Sequence, residues 1–343
     1  MFSPIRILQF SALLNRHRRK LLQTALTTTL VSMTAGISSP AFAAYPDRPI
    51  VIVVPFSAGG STDVLARLLA RPMQEMLKRP VVVENRVGAA GAIGAAFVAK
   101  SNPDGYTVLF GGVGTNILNS LTIPETPYHP QRDFAAVGEV CTVDYVLVVK
   151  ADSPFKSLSD VIAKAKAEKD SVSYMSTGNK GPLHLGMAYL SKMAGVSLVH
   201  APYKGESAAL PDVLAGRVDI GIMTVPFTTP LIREGKLRAI ASVGNKRSAL
   251  LPQVPTVAES GFPTYALPIW IGLSVPAATA KERIDLLNRA LHHALSDSDV
   301  KSRMSALGVS PVGSSPSEFS AFQDRERERW LLMIKESGTA LDK

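Results

Sequence analysis

Small, polar and flexible residues crowd together at two places in this chain, and the chemistry they suit is anion capture rather than bond making. The first place is the loop at 56–63: Phe56, Ser57, Ala58, Gly59, Gly60, Ser61, Thr62 and Asp63. It follows the β-branched run at 50–54 and precedes a segment with helical spacing of apolar residues. Open α/β sheets bind ligands at the carboxyl ends of their strands. Glycines let a backbone come close to a ligand, and the free N–H groups at a helix start favour an anion. A tight strand-to-helix turn would use the same residue types, yet two glycines with three hydroxyls exceed what such a turn needs. The second place has the same make-up: Ser176, Thr177, Gly178, Asn179, Lys180 and Gly181 stand between an apolar run and a helix that starts near Leu183. Two such cradles facing each other would suit a ligand with two carboxylates. His184, just inside the second, is either a structural hydrogen-bond donor or a ligand contact.

Other chemistries find little support. Gly88, Gly91 and Gly94 are spaced G-x-x-G-x-x-G and follow the second strand, which is not the dinucleotide fingerprint. The loop at 59–62 lacks the lysine of a phosphate-binding P-loop. His129, His184, His200, His292 and His293 form no H-E-x-x-H or i,i+4 pair, so neither a metal nor another cofactor is expected. His292 and His293 point about 100° apart on a helix and read as surface residues. A hydrolase or transferase would need an activated nucleophile, and no G-x-S-x-G elbow is present. Cys141 is the one cysteine; it cannot make an intramolecular disulfide and reads as a buried, inert thiol. The charged run at 324–329 reads as a solvated helix face.

The elements that must position these loops alternate. Strands are expected at 50–54, 81–83, 107–110, 146–149, 172–175, 198–200, 218–222 and 237–242. Helices are expected from 61 onward and at 91–99, 158–167, 183–193, 208–214 and 229–234. This alternation implies mostly parallel sheets with helices on both faces. Ser61 or Thr62 should cap the first helix, and Pro72 should kink it or end it early. Residues 145–149 and 270–275 look alike, each an apolar strand followed by a proline turn and an amphipathic helix. One strand leaving a lobe and another returning would produce this pairing, as in a hinged two-lobed receptor.

The chain has 343 residues, 46% hydrophobic and 19% charged, which fits a folded protein of two domains. The net charge of +9 does not indicate nucleic acid, because Arg6, Arg16, Arg18, Arg19 and Lys20 supply five of those charges before any acid occurs. This basic start, a moderately apolar run at 21–37 and the A-x-A site ending at Ala43 form an export signal, with cleavage expected after Ala43. Gln23 and several threonines make the run a poor membrane anchor. Arg18-Arg19-Lys20-Leu21-Leu22 is similar to a twin-arginine signal, so both that route and the general secretory route stay open.

Nine segments occur in an order that resembles the Bug-type receptors of tripartite tricarboxylate transporters. They are YPDRPI (45–50), VPFSAGGSTD (54–63), VVENR (82–86), PDGYT (103–107), HAPYKG (200–205), GKLRA (235–239), KRS (246–248), PQVPTVAESG (252–261) and GVSPVGSSP (308–316). The resemblance covers nearly the whole chain after residue 44. It implies an α/β, two-lobed periplasmic binding protein type II (Venus-flytrap) fold with two crossing strands. Its lobes would be 44–144 with 268–343, and 145–267, after a signal peptide at 1–43. It implies a non-enzymatic, monomeric periplasmic receptor that hands a small carboxylate to the membrane subunits of a transporter; reporting to a membrane sensor kinase is the alternative. Carried over, Phe56, Ser57, Gly59 and Gly60 match the first ligand loop, with Ala58 where proline is common. Val113 and Thr115 match the next; Ser176, Thr177, Gly178 and His184 match the second-lobe loop, followed by Thr224. The family often has an acid where Met223, Thr224 and Val225 stand. Its loss leans the ligand toward a simple di- or tricarboxylate, aromatic ones included, and away from an amino acid.

Overall fold

In this computed structural model residues 45–123 and 125–337 are described; the signal and its cleavage site at Ala43 lie outside them. From Pro46 onward the chain forms one compact unit. It opens with β1 (Ile50–Val54), α1 (Ser61–Leu77), β2 (Val81–Asn85), α2 (Ala92–Ala99) and β3 (Thr107–Gly112). Three short helical turns lead to β4 (Phe134–Val143), and Asp144 alone separates it from β5 (Tyr145–Lys150). Then come α3 (Leu158–Ala167), β6 (Ser173–Ser176), α4 (Pro182–Ala194), β7 (Val199–Pro202), α5 (Glu206–Leu214), β8 (Gly221–Thr224), α6 (Val225–Arg233) and β9 (Leu237–Ser242). The chain ends in β10 (Ile269–Pro276), α7 (Lys281–Ser296), α8 (Ser298–Ala306), β11 (Val309–Pro311) and α9 (Pro316–Ser337).

The strands divide by lobe. One lobe holds a six-stranded sheet in the order β11-β4-β10-β3-β1-β2. The other holds β8-β5-β9 and the pair β6-β7, the latter joined to the β8 side by a bridge between Tyr174 and Ile220. The chain first crosses at Asp144, where β4 of one sheet runs into β5 of the other, and returns through 243–268 into β10. β1 pairs in parallel with β2 and β3, but β10 is antiparallel to β3 and β4, and β5 is antiparallel to β8 and β9. The six-stranded sheet is therefore mixed and β8-β5-β9 wholly antiparallel, so the sheets are not mostly parallel. Each crossing strand enters its sheet from the far side, and that reverses its direction relative to the βα strands.

Three local expectations change. α1 does not end at Pro72 but continues to Leu77. Leu65, Leu69, Met73 and Leu77 are buried along its inner face, and that packing outweighs the one hydrogen bond the proline removes. Its cap position is Gly60, not Ser61 or Thr62, and no side chain caps it. β4 and β11 had no clear pattern: Gly138 and Glu139 interrupt the apolar run of β4, and β11 is three residues long. The second lobe's core gathers Val146–Val149 side chains, Ile222, Leu185 and Leu190, and extends to Trp270 and to Phe319 and Trp330 of α9. Glu326 of α9 is itself buried, so 324–329 is not a wholly solvated face. Cys141 is fully buried.

Candidate functional site

The loops that follow β3 and β6 look at each other across a cavity of about 510 Å³, within the range of small-molecule sites. The first-lobe wall is made by Phe56, Ser61, Thr62 and the turn Gly111, Gly112, Val113, Gly114; Asn119, Thr122 and Ile123 continue it. The second-lobe wall is the loop Thr177, Gly178, Asn179, Lys180, Gly181, Pro182, together with Tyr145. Val143, Ile269, Trp270 and Ile271, from the crossing strands, form the floor. A Cβ on Gly112 would come within 2.5 Å of the Trp270 carbonyl, so the strand pairing that closes the floor requires glycine there.

The first loop is fastened from behind. Asp63 is buried and accepts the Gly59 N–H at 2.9 Å, the Asn85 amide at 2.9 Å and the Arg67 guanidinium at 3.0 Å. The Arg67 bond is the main reason its carboxyl is held down to about 2, against the opposing cost of burial. Asn85 also donates to the Phe56 carbonyl at 3.0 Å. Of the first-loop candidates, Phe56 lines the cavity; Ser57, Ala58, Gly59 and Gly60 are exposed and lie outside its lining. Val113 lines it, while the Thr115 hydroxyl is buried against Gly112 and the Asn116 side chain.

The second loop rests on an imidazole pair. His184 and His200 stack with ring centroids 3.8 Å apart and an interplanar angle of 7°. The Lys180 N–H donates to His184 Nδ1 at 2.9 Å, so that nitrogen accepts rather than donates. This bond holds Lys180 at φ +57, a left-handed conformation unusual for a lysine. The Ser176 hydroxyl donates to the Gly178 carbonyl at 2.9 Å, and His200 Nε2 lies 2.7 Å from the Ser176 hydroxyl oxygen. With the hydroxyl proton so placed, His200 Nε2 is the donor, which is the wrong arrangement for a base that activates serine. Burial lowers the pKa of both rings; the Lys180 charge adds to it at His184, and His184 adds to it at His200, which falls to about 4. Thr177 and Gly178 line the cavity, whereas buried Ser176 and half-buried His184 are outside its lining and shape the loop. Gly178, at φ +144 with open space around it, keeps the main chain turned toward the cavity.

Thr224, at the end of β8, is also behind the wall, opposite Tyr145 in the β5 register. Its N–H donates to Glu206 at 2.8 Å and its hydroxyl at 2.9 Å. Glu206 was not among the residues singled out from the sequence. Its signal was an acid directly after the HAPYKG segment, in the first turn of α5. Among the described residues no group of His, Cys, Asp and Glu could hold a metal ion, and no helix is long and apolar enough to cross a membrane.

The family model described as the tripartite tricarboxylate transporter family receptor matches residues 65–339. The chain belongs to that family. It is 38% identical over 310 residues to the protein BugT of Bordetella pertussis, covering 90% of this chain and 95% of that one. A Rhodopseudomonas palustris protein solved with adipate superposes with a TM-score of 0.77 at 33% identity, over 86% of this chain and 98% of the other. MatC from the same organism, with bound malate, gives a TM-score of 0.74 at 30% identity, over 84% and 100%. The fold is that of periplasmic binding proteins, and the cavity is lined by loops that follow strands of different sheets together with residues of β10.

Proposed function

We propose that this chain is a periplasmic receptor that closes its two lobes on a small carboxylate and delivers it to the membrane subunits of a tripartite transporter. The observation that carries this reading is the inter-lobe cavity of about 510 Å³, walled by the glycine-rich loop at 177–182 where it opens α4. Main-chain N–H groups at a helix start attract an anion, and Lys180 adds a positive charge. The adipate and malate found with the two Rhodopseudomonas palustris proteins support a carboxylate as cargo. The lobes are 44–144 with 268–343, and 145–267, the receptor works as a monomer, and the signal is removed after Ala43, by the twin-arginine or the general secretory route.

The receptor binds stoichiometrically and turns nothing over; the Ser176 proton, committed to the Gly178 carbonyl, supports that. A thermal-shift screen over carboxylates tests the reading, because a ligand that binds the folded state alone raises the melting temperature. The expected result is a shift with one or a few carboxylates and no product by mass spectrometry. A panel of carboxylates that leaves the melting temperature unchanged would remove it.

A further inference from the structure

The loop at 177–181 rests on two rings whose protons its own hydrogen bonds assign. His184 stands in the first turn of α4 and His200 in β7. The Lys180 N–H donates to His184 Nδ1 at 2.9 Å, so a neutral His184 carries its proton on Nε2. The Ser176 hydroxyl gives its proton to the Gly178 carbonyl, so His200 Nε2 donates to that hydroxyl, and His200 Nδ1 is bare while the ring is neutral. The two rings lie face to face with centroids 3.8 Å apart, and Tyr174 of β6 stacks on His200 at 5.1 Å. With the pair neutral, one ring accepts from the loop and the other donates to it.

The surroundings favour that neutral state. The start of α4 disfavours a cation, the Lys180 charge opposes a proton on His184, and a charged His184 opposes one on His200. No carboxylate is bonded to either ring among the described residues: Glu206 of α5 accepts from Thr224, and Asp212 of α5 accepts from Tyr203 and Arg217. Burial keeps Tyr174 an uncharged phenol. A proton that acid adds to His184 has one place to go, Nδ1, where it stands against the Lys180 N–H as a second donor in a gap that suits one hydrogen bond. Lys180 depends on that bond for its left-handed φ of +57. Resting on the carboxylate-receptor reading, we propose that His184 is a proton-sensitive positioning residue: neutral, it holds the 177–181 main chain in the shape that takes the cargo; protonated, it lets go, and affinity falls in acid. The ring is outside the cavity lining, so it acts on the ligand through the shape of the loop. The window lies below about 6.5, the ordinary imidazole value from which burial lowers His184.

Two substitutions separate the acceptor of the ring from its charge. His184→Asn puts an amide oxygen near the place of Nδ1 and does not titrate; His184→Gln puts its amide near Nε2 and leaves the Lys180 N–H without an acceptor. Calorimetry with the tightest carboxylate of the screen reads both variants and the wild type at about pH 7.5 and about pH 4.5, with circular dichroism to check the fold. At the higher pH, His184→Asn should bind about tenfold more tightly than His184→Gln, the worth of one hydrogen bond. On going to the lower pH, the wild type should lose about threefold or more affinity beyond what His184→Asn loses. The shared ligand and buffers take the titration of the cargo itself out of the comparison. Parallel pH profiles, a wild type that tightens in acid relative to His184→Asn, or a His184→Gln that binds as tightly as His184→Asn overturns the proposal. A second readout uses the free protein: nitrogen-15 NMR should show the Lys180 amide shifting with the same midpoint as the His184 ring. A Lys180 amide that ignores the ring overturns the proposal and leaves the carboxylate reading standing. If no carboxylate binds any of the three proteins, that reading falls and the proposal with it.

Discussion

Asp63 shows how much of a candidate ligand loop can depend on one side chain outside the cavity lining. It holds Gly59, Asn85 and Arg67 together beneath Phe56. Asp63→Asn should lower stability by about 1–2 kcal/mol, discounted because Arg67 is half exposed. A urea melt at pH 7 reads this, and an unchanged midpoint would speak against the bracing role. The imidazole pair sets the acid side of the stability profile. Its folded-state pKa values are lowered, so its contribution is complete above about 6.5 and is lost as pH falls toward the His200 value of about 4. His200→Gln, which keeps a donor for Ser176, should therefore flatten the fall in melting temperature between pH 6.5 and 4.5. A variant that falls as steeply as the wild type would show that other groups govern this window.

At the level of elements, α9 ties the lobes together. Its Phe319 packs edge-on against Trp270 of β10, while Trp330, Met333 and Ile334 join the second-lobe core. Glu326 of α9 faces Glu139 of β4, and both are buried. Burial, with the Glu326 charge adding to it, pushes the Glu139 carboxyl up to about 7. A raised carboxyl pKa favours the folded state below about 4.5 and loses that contribution as pH rises to 7. Glu139→Gln should thus match the wild type at pH 4.5 and exceed it at pH 8, by up to about 3 kcal/mol. Parallel melts at the two pH values decide it; a variant less stable at pH 8 would contradict the account. The sequence made α9 legible as a charged helix but hid this burial, because Glu326 and Arg329 look like any solvated pair until β4 is placed beneath them. β4 was itself obscured by Gly138 and Glu139. The strand-then-helix units were legible because each joins a β-branched run to a helical pattern. The sheet direction was not, since antiparallel crossing strands carry the same residues as parallel ones.

At the scale of the whole molecule, the two candidate loops stand out by residue type, yet their relation to the cavity could not be read from the sequence. Phe56, Val113, Thr177 and Gly178 reach it, whereas Ser57, Ala58, Gly59 and Gly60 stay at its rim, and Thr115, Ser176, His184 and Thr224 act from behind. The difference depends on where each backbone turns, which spacing does not encode. The acid at 206 was missed for the same reason: its partner is 18 residues away. Two lobes joined at Asp144 and through 243–268 predict a more compact bound form, and small-angle scattering with and without a confirmed ligand should show a smaller radius of gyration. An unchanged profile in a demonstrably open apo protein would count against closure.

The central claim is that main-chain groups of the 177–181 loop hold the ligand's carboxylate. Calorimetric titration of Gly178→Val beside the wild type, with the tightest carboxylate from the screen, tests it most directly. Nothing lies within 4 Å of the added Cβ, so the fold should survive while φ +144 becomes strained for a β-branched residue. The account predicts a loss of about 10- to 100-fold in affinity, corresponding to the 1–3 kcal/mol cost of such a conformation. Wild-type affinity in Gly178→Val would contradict the cradle.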